Sequence, residues 1–381
     1  MQQTLCELVL RLTEPPDLDD YDLEDHLDRR RLLRAASLVC RAWVPLAQAL
    51  LGETIIVRKL RDLDELETAL DEDWLNVYTS RLYVDPAACG VDDPDRYEDN
   101  ERDRWTLSDE AARKELVVGV GRLIDRRLEV ELVGFPSAEV VLLVDEPWPV
   151  ERMIIEHTDY NVDVGEDRYV EFELVEKLEA WTDLRELRLM TFYGNEGGEC
   201  RAVMTSWLPI ERLHFLHLGL PGRPWPYDGR FLLQIPAPHL RELIIYLETA
   251  PDIEPGHHNS ADLGPNFLPS LRELTLGYPV ESGSAGIAPV VRAMPTSVAS
   301  LTWVIGSPLR FPSAEVVRAR AAHVYSELAA SLVGLGTDSS LHDLVIDASH
   351  VNARWLEPTS EAWRTVKSAA SAAGITLAGF R

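Results

Sequence analysis

From about residue 130 to the end of the chain, apolar positions recur in one spacing, apolar-x-x-apolar-x-apolar. It occurs as Val150-x-x-Met153-x-Ile155, Leu184-x-x-Leu187-x-Leu189, Ile210-x-x-Leu213-x-Phe215 and Leu240-x-x-Leu243-x-Ile245. It continues as Leu271-x-x-Leu274-x-Leu276, Val298-x-x-Leu301-x-Trp303 and Leu341-x-x-Leu344-x-Ile346. The middle apolar residues lie 34, 26, 30, 31, 27 and 43 residues apart. Three units, beginning at Leu184, Leu240 and Leu271, share the string Leu-Arg-Glu-Leu. Such an element sends one residue into the core from a turn and two more from a strand, because strand side chains alternate between faces. A return segment of about 20 or more residues then carries the chain back to start the next strand. Stacked side by side, these units predict one parallel sheet in sequence order, with Leu187, Leu213, Leu243 and Leu274 as a buried column. The alternative is an ordinary α/β domain with seven strands.

Ahead of the array the period is that of helices. Leu5, Leu8, Val9 and Leu12 share one helical face, with Thr4 and Glu7 spaced as a capping box and Pro15-Pro16 as the stop. Residues 13–28 hold eight acidic residues and no basic one, which predicts a solvated loop. A second helix is expected from Asp28, with Leu32, Leu33, Ala36 and Val39 or Cys40 inward. A third carries Trp43, Leu46, Ala47 and Leu50, with Pro45 in its first turn and Gly52 at its end. Beyond these, strands are predicted at 54–57 and around Leu82 and Val84, and amphipathic helices at 60–75 and 107–127. The apolar run Val140 to Val144 is strand-sized. A long helix at 312–335 accounts for the widest interval, and a last helix at 361–373 is closed by Gly374 and followed by a strand at 375–377.

Charge narrows the choice of partners. The 381 residues carry a formal net charge of -27. That charge favours solubility and disfavours nucleic acid or anionic membrane as a partner. Lysine occurs only at 59, 114, 177 and 367; the other basic residues are arginine. Cys6, Cys40, Cys89 and Cys200 form no Cys-x-x-Cys pair, so zinc and thioredoxin-type chemistry lack support. Residues 1–12 lack a basic leader, and no run approaches the ~20 apolar residues that span a bilayer. The expectation is a reducing compartment, cytosol or nucleus.

One short string carries a family resemblance. Leu38-Val39-Cys40-Arg41-Ala42-Trp43, followed by Leu46-Ala47, resembles the second half of an F-box, the helical module that docks a protein onto a Skp-type adaptor of a cullin ubiquitin ligase. The array at 130–381 resembles leucine-rich repeats in an irregular form, with the usual asparagine after the strand mostly absent. The family's Leu-Pro pair ahead of its first helix is also absent. The resemblance implies an α/β protein of the fungal F-box type: a three-helix module at 1–52, linking helices and first strands at 53–129, and a repeat domain that holds a protein substrate. The implied adaptor surface is Leu5, Leu8, Leu32, Leu33, Leu38, Val39, Trp43 and Leu46. The alternative function is a repeat-type interaction scaffold without ligase association.

Catalytic motifs are not evident. Gly-x-Ser-x-Gly elbows and phosphate loops ending in Lys-Ser/Thr are missing, and Gly119-Val-Gly121 sits inside a helical pattern, where it reads as helix packing. His257-His258 lies in a polar loop and reads as solvated. His214 and His217 are offset so that they face opposite sides of a strand. The Arg29-Arg30-Arg31 run, with Arg34 and Arg41, reads as a solvated helix face. The Pro-locked loop Pro221–Gly229, with Arg223, Trp225, Tyr227 and the adjoining Arg230, is the candidate partner-binding surface, because tryptophan and arginine are enriched in binding hot spots. No cofactor, metal or enzymatic activity is expected.

Overall fold

A computed structural model describes residues 31–35, 38, 44, 54–57, 60–71, 81–84, 110–125, 132–158, 174, 177–192, 210–220, 237–247, 268–279, 287–306, 314–335, 339–347 and 361–379. The chain divides into two compact units, Met1–Val133 and Gly134–Arg381.

In the first unit β1 (Thr54–Val57) pairs in parallel with β2 (Arg81–Val84). β2 in turn pairs with the opening residues of β3 (Leu132–Ser137), Tyr83 opposite Leu132 and Val84 opposite Val133. Helices α1 (Leu60–Asp71) and α2 (Glu110–Asp125) are amphipathic at helical spacing. Leu63 and Leu66 of α1 and Leu116, Val120 and Leu123 of α2 are buried. The helices meet at Gly119, where a Cβ would stand 2.7 Å from Cδ1 of Leu63. Glycine there lets the two come close, as the reading of Gly119-Val-Gly121 expected; Gly121 has open space around it.

In the second unit the strands are β4 (Arg152–Thr158), β5 (Glu186–Phe192), β6 (Phe215–Leu218), β7 (Glu242–Tyr246), β8 (Glu273–Pro279), β9 (Ser300–Gly306), β10 (Asp343–Asp347) and β11 (Thr376–Gly379). Each pairs in parallel with the next. With β3 beside β4, nine strands stand in sequence order. Among the helices that accompany them are α3 (Ala138–Leu142), α4 (Ala288–Ala293), α5 (Ala314–Val333) and α6 (Glu361–Ala372), and residues 177–180 are also helical. The protein is therefore mixed α/β with a parallel sheet.

The register explains why the apolar spacing recurs. Met153, Leu187, Leu216, Leu243, Leu274, Leu301 and Leu344 stand side by side on successive strands, all buried. Two residues on, Ile155, Leu189, Leu218, Ile245, Leu276, Trp303 and Ile346 form a second buried column. Three residues before the first column, Val150, Leu184, Leu213, Leu240, Leu271, Val298 and Leu341 form a third.

Four of the strands, β5, β7, β8 and β9, are prepared by the same turn. The N–H groups of Leu184, Leu240, Leu271 and Val298 donate to the carbonyls of Trp181, Ala237, Leu268 and Pro295, each at 3.1–3.3 Å. Pro238 and Pro269 sit second in their turns, where a fixed φ suits the geometry. A single carbonyl then accepts two N–H groups from the next unit. Arg185 accepts from His214 and Phe215, His214 from Arg241 and Glu242, and Arg241 from Arg272 and Glu273.

This register corrects one unit of the sequence reading. Leu216, not Leu213, stands between Leu187 and Leu243. The unit is Leu213-x-x-Leu216-x-Leu218, and Ile210 holds by position the place of Trp181, Ala237, Leu268 and Pro295 in the preceding turn. That turn position is also apolar, so the pattern fitted three residues early.

A second correction concerns Val140 to Val144. The strand is Leu132–Ser137, and the valine run begins inside α3. A short apolar run satisfies strand and buried helix alike. Phe135, Trp148 and Trp181 close the core beneath these first strands, with centroids 5.8–6.1 Å apart. At the other end Gly374, at φ 74, terminates α6 in the left-handed region, as expected of a C-cap glycine.

Candidate functional site

The face of the sheet opposite the leucine columns carries the mixed chemistry. Three rows run across it in register. The first is Glu186, Phe215, Glu242, Glu273, Ser300 and Asp343; the second is Arg188, His217, Ile244, Thr275, Thr302 and Val345. The third runs Tyr246, Gly277, Val304 and Asp347.

Over β5 and β6 this face is buried. Arg188, Phe215 and His217 are all shielded from solvent, so β6 is covered on both sides. The Arg188 guanidinium stands 4.7 Å from the Phe215 ring centroid, a cation–π contact strengthened by desolvation. Phe215 meets His217 edge-on at 6.5 Å, and His217 meets Tyr246 at 5.8 Å. The Tyr246 ring lies over Gly277: a Cβ there would fall 2.7 Å from its Cε1. Only a residue without a side chain leaves room for the ring in that position.

His217 is the anomalous member. Burial first, and then the Arg188 charge, lower its pKa to about 4, so the ring is neutral at pH 7. The Gly219 backbone pulls the other way without meeting hydrogen-bond geometry, and both ring nitrogens lack a partner. Tyr246 is pushed up from its ordinary value by burial and then by the Asp347 charge.

Over β7 to β10 the face is mostly half-buried, with Glu273 exposed and Gly277 and Val304 buried. β7 and β10 alternate buried and half-buried residues along their length. Glu242 and Glu273 are register partners on adjacent strands. Asp343 receives His342 Nδ1 at 2.8 Å. Beside β4, Arg152 pairs with Glu186 across strands at 3.3 Å.

Elsewhere, a groove of about 340 Å³ lies between the C-terminal ends of α4 and α5, lined by Met294, Pro295, Ser331 and Leu335. Arg292 is the only charged residue along it among the described residues, so it assembles no acid–base pair. Among the described residues no three His, Cys, Asp or Glu side chains gather to hold a metal ion, and no helix is long and apolar enough to cross a membrane.

Of the expected adaptor surface, Leu32, Leu33 and Leu38 are described, in helical conformation. Leu32 is 55% exposed and Leu38 87%, whereas Leu33 is buried. Leu5, Leu8, Val39, Trp43 and Leu46 lie outside the described residues, as do Arg223, Trp225, Tyr227 and Arg230 of the expected partner-binding loop and His257-His258. His214 and His217 do not share a site: His214 packs against His239 at 6.2 Å, while His217 joins the aromatic row.

Arg188 and Tyr246 escaped the sequence reading, which took His217 for a strand-edge or core histidine, as its burial bears out, and did not join it with Phe215 in a row. The signal was present, because in the corrected frame Phe215 and His217 fall on outward positions. The Ile210 frame had turned Phe215 inward. Compared with models of known families and with curated proteins, the chain matches none.

Proposed function

We propose that the chain is a non-catalytic substrate receptor of a cullin-type ubiquitin ligase, acting in the cytosol or nucleus. Its N-terminal F-box-like helices dock on a Skp-type adaptor, and an irregular leucine-rich-repeat-like domain holds a protein substrate. The observation that carries this reading is the ladder of three leucine-rich columns on parallel strands in strict sequence order. Arrays of this kind present one extended face and a rim of loops to other proteins. The docking half draws support from Leu32 and Leu38, which leave apolar surface in water on a helical segment next to the F-box-like string. Apolar anchors on one helix suit a partner's groove.

The test is co-purification of the intact chain with a Skp-type adaptor at micromolar concentration. Leu32→Glu with Leu38→Glu is expected to abolish it. Both side chains are exposed, so the double change should alter stability by no more than about 1 kcal/mol. Failure of the folded, unaltered chain to bind the adaptor refutes the ligase half and leaves a repeat-type scaffold.

A further inference from the structure

The edge of the sheet at which the strands begin carries a row of cations. Arg185, His214, Arg241 and Arg272 hold one position in successive units, directly after the third apolar column. The backbone joins them in order. The Arg185 carbonyl accepts from the His214 N–H, the His214 carbonyl from Arg241, and the Arg241 carbonyl from Arg272. His239 adds a second imidazole, its ring centroid 6.2 Å from that of His214. Arg241, Arg272 and His239 are exposed, and Arg185 and His214 are half-buried.

The arginines of this edge are held by neutral acceptors or by none. Arg185 donates to the carbonyls of Thr182 and Leu184 at 2.8 and 3.0 Å. Arg212, in the turn before His214, donates to those of Leu178 and Glu179 at 3.1 and 2.8 Å. Arg272 donates to that of Ser297 at 3.4 Å. Among the described residues, Arg185, Arg212, Arg241 and Arg272 form no ion pair. Glu242 and Glu273 follow Arg241 and Arg272 in the chain, yet neither arginine pairs with them. Glu151, Asp183 and Glu211, all exposed, lie in the neighbouring turns.

His214 shows which sign prevails among these groups. After burial, Arg241, Arg185 and His239 hold its pKa down, and each outweighs Glu151, which pulls it up. The edge is thus locally positive on a chain of net charge -27. That net charge repels a polyanion of nucleic-acid density, so the edge suits a short anionic run.

We propose that the strand-start edge of β5 to β8 binds a short acidic segment of a partner protein, whose carboxylates meet Arg241 and Arg272, with Arg185 and His239 flanking. A guanidinium takes a carboxylate through two parallel N–H···O bonds, and the exposed arginines have donors to spare. The row spans roughly 14 Å, three strand intervals of about 4.8 Å, which about five extended residues cross. The inference rests on the reading of the repeat domain as the substrate-holding part and names that substrate's chemistry.

The probe is a fluorescein-labelled peptide of alternating glutamate and glycine, with its glutamine–glycine counterpart as control. Anisotropy is read with the intact chain at about 0.15 M salt, where a screening length of about 8 Å removes the repulsion of distant carboxylates. Arg241→Gln with Arg272→Gln is compared with Arg292→Gln and Arg364→Gln, which removes the same charge from exposed positions on α4 and α6.

The glutamate peptide should bind and the glutamine peptide should not. The edge double should weaken binding at least about tenfold and the helix double less than about twofold. Arg241→Gln alone should cost about threefold and carries the test if the double does not fold. Millimolar inorganic phosphate should leave the peptide bound; its displacement assigns the edge to a free anion and overturns the proposal. Equal losses in the two doubles, or no binding by the folded parent, also overturns it. Peptide binding by a folded chain that fails to bind the adaptor sinks the ligase reading alone. Adaptor binding without peptide binding sinks this inference alone.

Discussion

Replacing His217 with leucine tests the electrostatics of the buried row directly. In the unfolded chain a histidine titrates near 6.5, whereas burial and Arg188 hold His217 at about 4 in the folded protein. Between those values the unfolded state binds the extra proton, so acid draws the equilibrium toward unfolding. Stability tied to this ring is fully present above pH 6.5 and falls as pH drops toward 4. The loss is about 2 kcal/mol at pH 5 and about 3 kcal/mol below pH 4. At pH 7 the leucine variant should be as stable as the parent or more so by about 1 kcal/mol, because two unpaired nitrogens are gone. Urea unfolding of both proteins at pH 7 and pH 5, followed by tryptophan fluorescence, gives a difference of differences in which the carboxylates common to both cancel. His217→Leu should lose about 2 kcal/mol less than the parent over that step. Parallel losses in the two proteins, or an imidazole titrating near 6.5 in the folded state, would refute the assignment.

Two further changes probe the columns and the aromatic row. Leu216→Ala, at a fully buried position between Leu187 and Leu243, should destabilise the repeat domain by about 2–5 kcal/mol in urea unfolding; a neutral result would contradict the corrected register. Gly277→Ala should destabilise by about 1–3 kcal/mol by forcing the Tyr246 ring aside, and Tyr246→Ala in the same chain should cancel most of that loss in a double-mutant cycle. Additive effects would mean that the ring does not depend on Gly277.

Much of the array was legible in sequence because its three apolar columns repeat at fixed positions within each unit. Four helices were placed for the same reason: the apolar faces of α1, α2, α5 and α6 follow helical spacing over three turns or more. Shorter elements had no period to show. α4 spans six residues, with proline near its start. α3 was not placed, because the valine run that begins inside it is strand-sized and fits either structure. The frame at 210–218 slipped because the turn residue Ile210 mimics a column position.

The outer face was hard to read for a different cause. Phe215, His217, Ile244 and Tyr246 share no composition and are related only by register, and register became known only once every strand had been aligned. The loop carrying Trp225 stood out by its residue types alone, which say nothing of where it lies.

The strict sequence order of the strands bears on how the repeat domain is made during synthesis. No strand from β4 to β11 waits for a partner encoded far downstream; each finds its neighbour in the segment that has just left the ribosome. Loop closure between such neighbours costs little extra as the return segments lengthen, since each doubling adds only about 0.6 kcal/mol. The sheet can therefore grow one strand at a time behind the moving chain. At every stage the newest strand is an open template with unpaired backbone groups, so a pause in translation leaves one sticky edge exposed, and the identity of that edge changes with the codon at which the pause falls.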